Sequence, residues 1–418
     1  MNKNIGKKFL TIITVCLVVI GISLFNIGKN KAEVEDLEGK RSELGDVSIL
    51  LQSNKGMYET DEIKINKDNM TINSMAKQGM NDFNLSKKNI EAREVLEESS
   101  RGTIDYKNAL LEDEDRLASV YVTSKFTSED DYELFANIKL KYNDSDEIER
   151  YEIPLGDRHN ESQGVLYSSV PISIDKNNIY IATLVSYYSL EGAEEMENED
   201  YNAEYKGDYF NKTVLNLYKV NLYNKSAKQI LSKEYDGKGI HIKPSVCFAN
   251  NKKAYFLVNE KDDKDYKCSL FEFDVFTKEI NIIDLGIKKI YNEDYIRNFS
   301  VDEDKLLLIN MDDIKKNNKS TRVGLRGTIV DLRNSKVKYV EDIKININYE
   351  EILQVRRLNG KIYFITLDAG EKNSEDIDYN SYYFTVLDEN TNELLYKGRI
   401  KQKASYMTQF GIVKRDEL

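Results

Sequence analysis

His159 and His241 are the only imidazoles in the chain, and they stand 82 residues apart. Neither belongs to an HExxH or HxH arrangement or to a triad spacing, so hydrolytic metal chemistry and histidine-based nucleophilic catalysis lack their usual groups. His159 lies in GDRHNES, which reads as a turn; His241 lies in GIHIKPSVCF, which reads as an inner strand. No GxSxG, Walker loop or GxGxxG occurs, and Gly237 with Gly239 cannot cradle a phosphate. Acidic clusters recur at Glu112–Asp115, Asp130 with Asp131, Asp262–Asp265, Asp302–Asp304, and Asp312 with Asp313. None has the alternating oxygens and central glycine of a calcium loop, so they read as solvated turns. The sequence therefore predicts no catalytic residue, no metal site and no cofactor.

Tyrosine is the residue type that points to recognition. Ser186–Lys212 holds five tyrosines (Tyr187, Tyr188, Tyr201, Tyr205 and Tyr209) among eight acids, and 368–381 holds Tyr379 among five acids. Tyrosine offers large, rigid contact area at low entropy cost, so these six are the candidate binding residues. The competing reading is a pair of acidic loops that only keep the protein soluble. Glycoside hydrolysis by carboxylates from separate parts of the chain is the second functional reading, as a cell-wall carbohydrate hydrolase or lyase. It is weakened because sugar clefts lean on tryptophan stacking and the chain has no tryptophan.

The elements that must position these loops are strands. Four stretches share one order, an apolar strand followed through a hydrophilic loop by a hairpin with a polar turn: 177–184 with 215–231, 252–258 with 270–285, 304–310 with 327–342, and 360–367 with 382–400. A weaker copy comes first, at 115–122 with 134–155. Equivalent positions at Ala118, Tyr180, Tyr255, Leu307 and Tyr363 are spaced by 62, 75, 52 and 56 residues. Further strands at 164–174, 239–248, 295–301 and 350–358 precede the four main units, giving each four strands. Val47–Gln52 and Tyr58–Ile65 are placed to start or close a ring.

A repeat near 50–60 residues built from small antiparallel sheets predicts an all-β, β-propeller-like fold of five to seven four-stranded blades, because one such sheet cannot bury both faces alone. The alternative is a β-sandwich plus a smaller domain. The hairpins NLYKVNLYNKSAKQI and LFEFDVFTKEINII resemble the strand, Asp, turn, strand signature of bacterial propellers of the TolB and YVTN type. That resemblance is one of patterning over 110–400 and implies the fold alone. In this register Cys247 and Cys268 fall on the first and third strands of one blade, with Cα atoms roughly 9–10 Å apart, too far for a disulfide.

Phe9–Ile27 is nineteen residues without a charge, about the thickness of a bilayer core, and Lys3, Lys7 and Lys8 precede it. No small-x-small cleavage site follows. The expectation is a cytoplasmic stub at 1–8, an uncleaved signal anchor at 9–27, a solvated spacer at 28–46, and an extracytoplasmic domain at 47–418 with a peripheral helix at 86–99 capped by Ser86. Residues 32–418 hold 55 basic and 72 acidic side chains, about −17, which excludes nucleic acid as a partner. The combined expectation is a single-pass membrane protein whose outer domain binds a protein, peptide or envelope ligand without catalysis.

Overall fold

The computed structural model describes residues 34–54, 59–76, 110–128, 131–145, 147–160, 163–189, 210–236, 240–262, 265–287, 299–316, 319–343, 351–368, 379–403 and 407–415. The anchor expected at 9–27 and the helix expected at 86–99 lie outside these residues.

The described chain folds into six antiparallel sheets, each taken up in order by the sequence. Strand β1 (Val34–Gly39) and a short 3-10 turn (Arg41–Leu44) come first. Sheet I contains β2 (Val47–Asn54), β3 (Glu59–Ile65) and β4 (Met70–Ala76). Sheet II is β5 (Leu110–Glu112), β6 (Arg116–Ser128), β7 (Asp131–Tyr142) and β8 (Ile148–Asn160). Sheet III is β9 (Gln163–Asp175), β10 (Asn178–Ser189), β11 (Phe210–Asn221) and β12 (Ser226–Asp236). Sheet IV is β13 (Ile240–Asn250), β14 (Lys253–Asp262), β15 (Asp265–Asp274) and β16 (Ile280–Ile287). Sheet V is β17 (Phe299–Asp302), β18 (Lys305–Lys316), β19 (Lys319–Asp331) and β20 (Lys336–Ile343). Sheet VI is β21 (Glu351–Leu358), β22 (Lys361–Asp368), β23 (Tyr379–Asp388) and β24 (Leu394–Lys403). The last strand, β25 (Met407–Lys414), returns to pair with β2 and completes sheet I.

The second strands show why a sheet of this kind must have neighbours on both sides. Along β14, Ala254, Tyr255, Phe256, Leu257 and Val258 are all buried. Tyr255 and Leu257 enter a core shared with sheet V, whereas Ala254, Phe256 and Val258 enter a core shared with sheet III. Alternation survives, but both faces are apolar, so the sequence reads as a continuous hydrophobic run. β18 repeats the rule, with Leu306 and Leu308 facing sheet IV and Leu307 and Ile309 facing sheet VI. Five such shared cores join sheets II through VI and then VI to I. Deleting one of these side chains to alanine typically costs about 2–5 kcal/mol. This is a propeller-like arrangement.

Two clasps close it. One is β25 on β2, from Val47 opposite Lys414 to Ser53 opposite Met407. The other is β1, which adds a fifth strand to the outer edge of sheet VI, Val34 opposite Ile400 and Gly39 opposite Tyr396. Tyr396 donates a hydrogen bond to Asp36 at 2.6 Å, and Arg41 grips the same carboxylate at 2.8 Å. Gly39 must be glycine: its φ is +74° and a Cβ would stand 2.0 Å from the Leu395 carbonyl oxygen. Leu44 is fully buried. Residues 34–46, expected as a solvated spacer, are thus part of the fold, because an open sheet edge and a core position pull them in.

A buried charge cluster ties sheets V, VI and I together beside these clasps. Arg357, at the end of β21 and 7% exposed, lies 2.9 Å from Glu389 and 3.6 Å from Asp302. Lys305 reaches Glu389 at 3.6 Å and Lys414 reaches Asp302 at 3.5 Å. The Arg357–Glu389 approach is a close charge contact without an aligned hydrogen bond from Nε.

Candidate binding face

The two ends of the sheets are built differently. At one end the first and second strands, and the third and fourth, join through tight turns. Asn359 and Gly360 both have positive φ, as a two-residue hairpin requires. The second kind of turn opens with Asn221, Asp274, Asp331 or Asp388, whose side chain accepts backbone N–H groups two or three residues on. Each then places Lys225, Lys278, Ser335 or Asn392 at a left-handed φ. In four sheets the two turns are stitched together: Asn143 N–H donates to the Asp115 carbonyl, Leu222 to Asn177, Leu332 to Asp304, and Glu389 to Gly360, at 2.7–2.9 Å. We refer to this as the turn end.

The opposite end carries the second-to-third and fourth-to-first connections. In sheets IV and V the hydrophilic stretches expected as long loops are mostly strand: β14 with β15, and β18 with β19, leave only 263–264 and 317–318 between them. Cross-strand pairing carries even Asp313, opposite Arg322, into the ladder. Long connections remain in sheet III (190–209) and sheet VI (369–378).

Tyr187 is not a loop residue. It lies near the loop end of β10, is 5% exposed, and packs in the core between sheets II and III. Its hydroxyl donates to Asp157 Oδ1 at 2.7 Å. The same carboxylate accepts from Asn216 Nδ2 at 3.2 Å and from the Tyr218 hydroxyl at 3.5 Å, and Gln229 orients Asn216 at 2.7 Å. Burial first, and the Asp157 charge second or third, hold both phenols well above the ordinary tyrosine range. The Lys212 ammonium sits 5.1 Å from the Tyr187 ring. This cluster pins the foot of the long sheet III connection to sheet II. Tyr187 is accordingly a structural residue, corrected from a candidate contact, because its strand position faces a neighbouring sheet.

Tyr188 is in β10, opposite Phe210 and Gly164, and Tyr379 opens β23 opposite Lys403. Tyr201, Tyr205 and Tyr209 lie outside the described residues. The backbone thus brings the foot of one tyrosine-bearing connection and the foot of the other to the same end of the ring. Sequence reasoning missed Asp157 and Arg357. Neither carried a local signal: Asp157 stands between Gly156 and Arg158 in GDRH, which reads as a turn, and Arg357 follows Arg356. His159 is in β8, opposite Tyr132, rather than in a turn; His241 is in β13 as expected.

Several acids singled out above are held in turns by protein partners. Asp113 accepts from the Asp115 N–H and Arg116 Nη2, and Asp304 is paired with Arg333 at 3.2 Å. Among the described residues no group of three or more His, Cys, Asp or Glu is placed to hold a metal ion.

Cys247 and Cys268 lie on the first and third strands of sheet IV, and neither forms a disulfide. Cys247 is opposite Phe256 while Cys268 is opposite Asn259, so they are offset by three residues as well as two strand spacings. That puts their Cα atoms on the order of 14 Å apart. Burial pushes the Cys247 thiol up to about 12. Denatured protein is expected to take up a thiol reagent at both positions without prior reduction, as read by peptide mass spectrometry. A requirement for reductant would contradict this pairing.

No protein-family model matches the chain, and neither does any curated protein. Among solved structures, the β-propeller domain of the trilobed protease from Pyrococcus furiosus aligns at 10% identity and a TM-score of 0.30, over 93% of this chain and 98% of that one. The WD40 domain of SCAP from fission yeast aligns at 8% and 0.30, over 92% and 96%. Synechocystis apocarotenoid oxygenase aligns at 11% and 0.27, also over 92% and 96%. At these values no residue role is taken from them; the propeller-like arrangement rests on the strand pairing and shared cores of this chain.

Proposed function

We propose that the chain is a six-bladed β-propeller, anchored in a membrane by residues 9–27, whose loop end binds a protein, peptide or envelope ligand without catalysis. The observation that carries this reading is the asymmetry of the ring. One end is sealed by short stitched turns, while the connections at 190–209 and 369–378, rich in acids and tyrosine, both open at the other. Long insertions gathered on one end of a rigid scaffold are where such folds place recognition. Tyr188, Tyr201, Tyr205, Tyr209 and Tyr379 are the contact residues of this proposal, and Tyr187 is their structural support. The anchor keeps this binding at the extracytoplasmic membrane surface.

The test is crosslinking and capture from membranes with the full chain. Replacing Tyr201, Tyr205 and Tyr209 by serine, with Tyr187 kept, should lower capture of the partner by well over tenfold, since truncated aromatic anchors cost about 2 kcal/mol or more each. The melting temperature should barely move. Undiminished capture would remove the tyrosines from the interface, and loss that follows only added salt would assign it to the acids.

A further inference from the structure

The turn end carries a second feature that the loop-end reading does not use. Tyr223 is 84% exposed and Phe276 is 68% exposed. They occupy the same place, two residues after Asn221 and Asp274, in corresponding turns of sheets III and IV. These two sheets are neighbours that share a core.

Four lysines stand on the same turns and on the adjoining ones. Lys176 and Lys225 in sheet III, and Lys252 and Lys278 in sheet IV, are exposed turn residues with φ between 47° and 64°. A left-handed position is ordinarily given to Gly or Asn, and sheet VI follows that habit with Asn359, Gly360 and Asn392. In sheets III and IV four of the five such positions are cations, Asn251 being the exception. None of the four forms an ion pair with a described residue; Lys252 lies instead 5.2 Å over the Phe276 ring, and Lys225 lies 5.9 Å over Tyr151. Three basic residues at the turn end of sheets V and VI are engaged differently: Arg333 pairs with Asp304, Lys305 with Glu389, and Lys361 with Glu43. The acids on the four lysine-bearing turns are Asp175, Asp274 and Glu279, and Asp274 is committed to the N–H groups of Phe276 and Thr277.

We infer that this rim of sheets III and IV is a docking surface for an acidic polypeptide segment. Its carboxylates would meet Lys176, Lys225, Lys252 and Lys278, and its apolar side chains would cover Tyr223 and Phe276. Charge complementarity selects this occupant. The chain as a whole carries −12, so an extended anionic bilayer would be repelled by the rest of the molecule. A short peptide senses only the potential within a Debye length of about 8–10 Å, where the four lysines meet Asp175, Glu279 and Glu303, while Asp274 is held by backbone N–H groups and Asp304 by Arg333. The protein's own acidic connection at 190–209 leaves from the other end of β10 and β11, strands of twelve residues or about 40 Å, and twenty residues cannot reach around and back.

The experiment uses the full chain in neutral detergent and a fluorescein-labelled peptide of repeated Glu-Glu-Leu units, read by anisotropy. Saturable binding is expected, and the combined variant Lys176→Asn, Lys225→Asn, Lys252→Asn, Lys278→Asn should weaken it at least tenfold. Asparagine suits the left-handed φ, so this variant keeps the fold, and circular dichroism should match the wild type. Tyr223→Ser with Phe276→Ser should weaken binding several-fold at unchanged charge. Equal affinity in the lysine variant overturns the inference. So does lysine-dependent binding to phosphatidylserine vesicles with none to the peptide, which assigns the rim to a membrane. Lysine-dependent self-association of the chain alone, read by sedimentation, overturns it in favour of a second copy.

Discussion

Replacing Arg357 by alanine is expected to destabilise the protein by about 3–5 kcal/mol, because it strands buried carboxylates without their cation. Among the described residues, Glu389, 6% exposed, and Asp302, 12% exposed, would keep only Lys305 and Lys414 as partners, at 3.6 and 3.5 Å, each lysine about one-third exposed. The effect reaches past one pair, since the cluster spans sheets V, VI and I where the chain closes on itself. Urea unfolding monitored by circular dichroism measures it. Adding Glu389→Gln to the alanine variant should recover part of the loss, because an uncompensated charge is then removed along with its partner. A cost below about 1 kcal/mol would mean that the cluster is solvated and behaves as a surface ion pair does.

Alkaline pH should unfold the protein cooperatively. Burial, as the largest cause in each case, raises the phenols of Tyr187, Tyr218, Tyr255, Tyr363 and Tyr396 above their ordinary value, Tyr363 to about 12. A raised folded value means that the native state holds the proton more tightly than the unfolded chain does. The stability it contributes is fully present below pH ~10, the unfolded value, and is lost as pH rises through the folded values. Hydrogen bonds to Asp157, Glu272 and Asp36 push the same way at four of the five, since an ionised phenol would face a carboxylate. Phenolate absorbance and β-sheet circular dichroism should therefore change together above pH ~10. Separate transitions, with these tyrosines titrating near 10 in an intact fold, would show that their sites admit water.

The repeat was legible because each unit reuses the same local chemistry. Asp274, Asp331 and Asp388 open equivalent turns, and the apolar runs at 254–258, 306–309 and 362–365 are the strands buried on two faces. Burial on both sides also explains why Tyr187 was misread. In a strand packed between two sheets every position faces a core, and a tyrosine there looks like any other beside an acidic loop. β1 had no pattern to find: VEDLEG is exposed after its first residue, and its extended form comes from the free edge of β24. The hairpin ends at 310–316 and 319–326 are polar enough to read as loop, and their ladder pairing depends on the partner strand rather than on composition. Asp157 and Arg357 were hidden for a related reason. Their partners come from other sheets or from distant strands, so no spacing within one segment exposes them.

The fifth strand of sheet VI also determines how the molecule responds to a pull on its N-terminal side. Because Val34 is opposite Ile400 and Gly39 opposite Tyr396, β1 enters from the loop end and runs towards the turn end. Tension directed away from the loop end loads the ladder lengthwise, so its hydrogen bonds and the Asp36 contacts with Arg41 and Tyr396 must slide together and fail together. Tension directed sideways opens the same ladder one pair at a time, starting at Val34. A tether attached before residue 34 therefore meets a strand that is strong in shear and weak in peeling, and the direction of the load decides which of the two it feels.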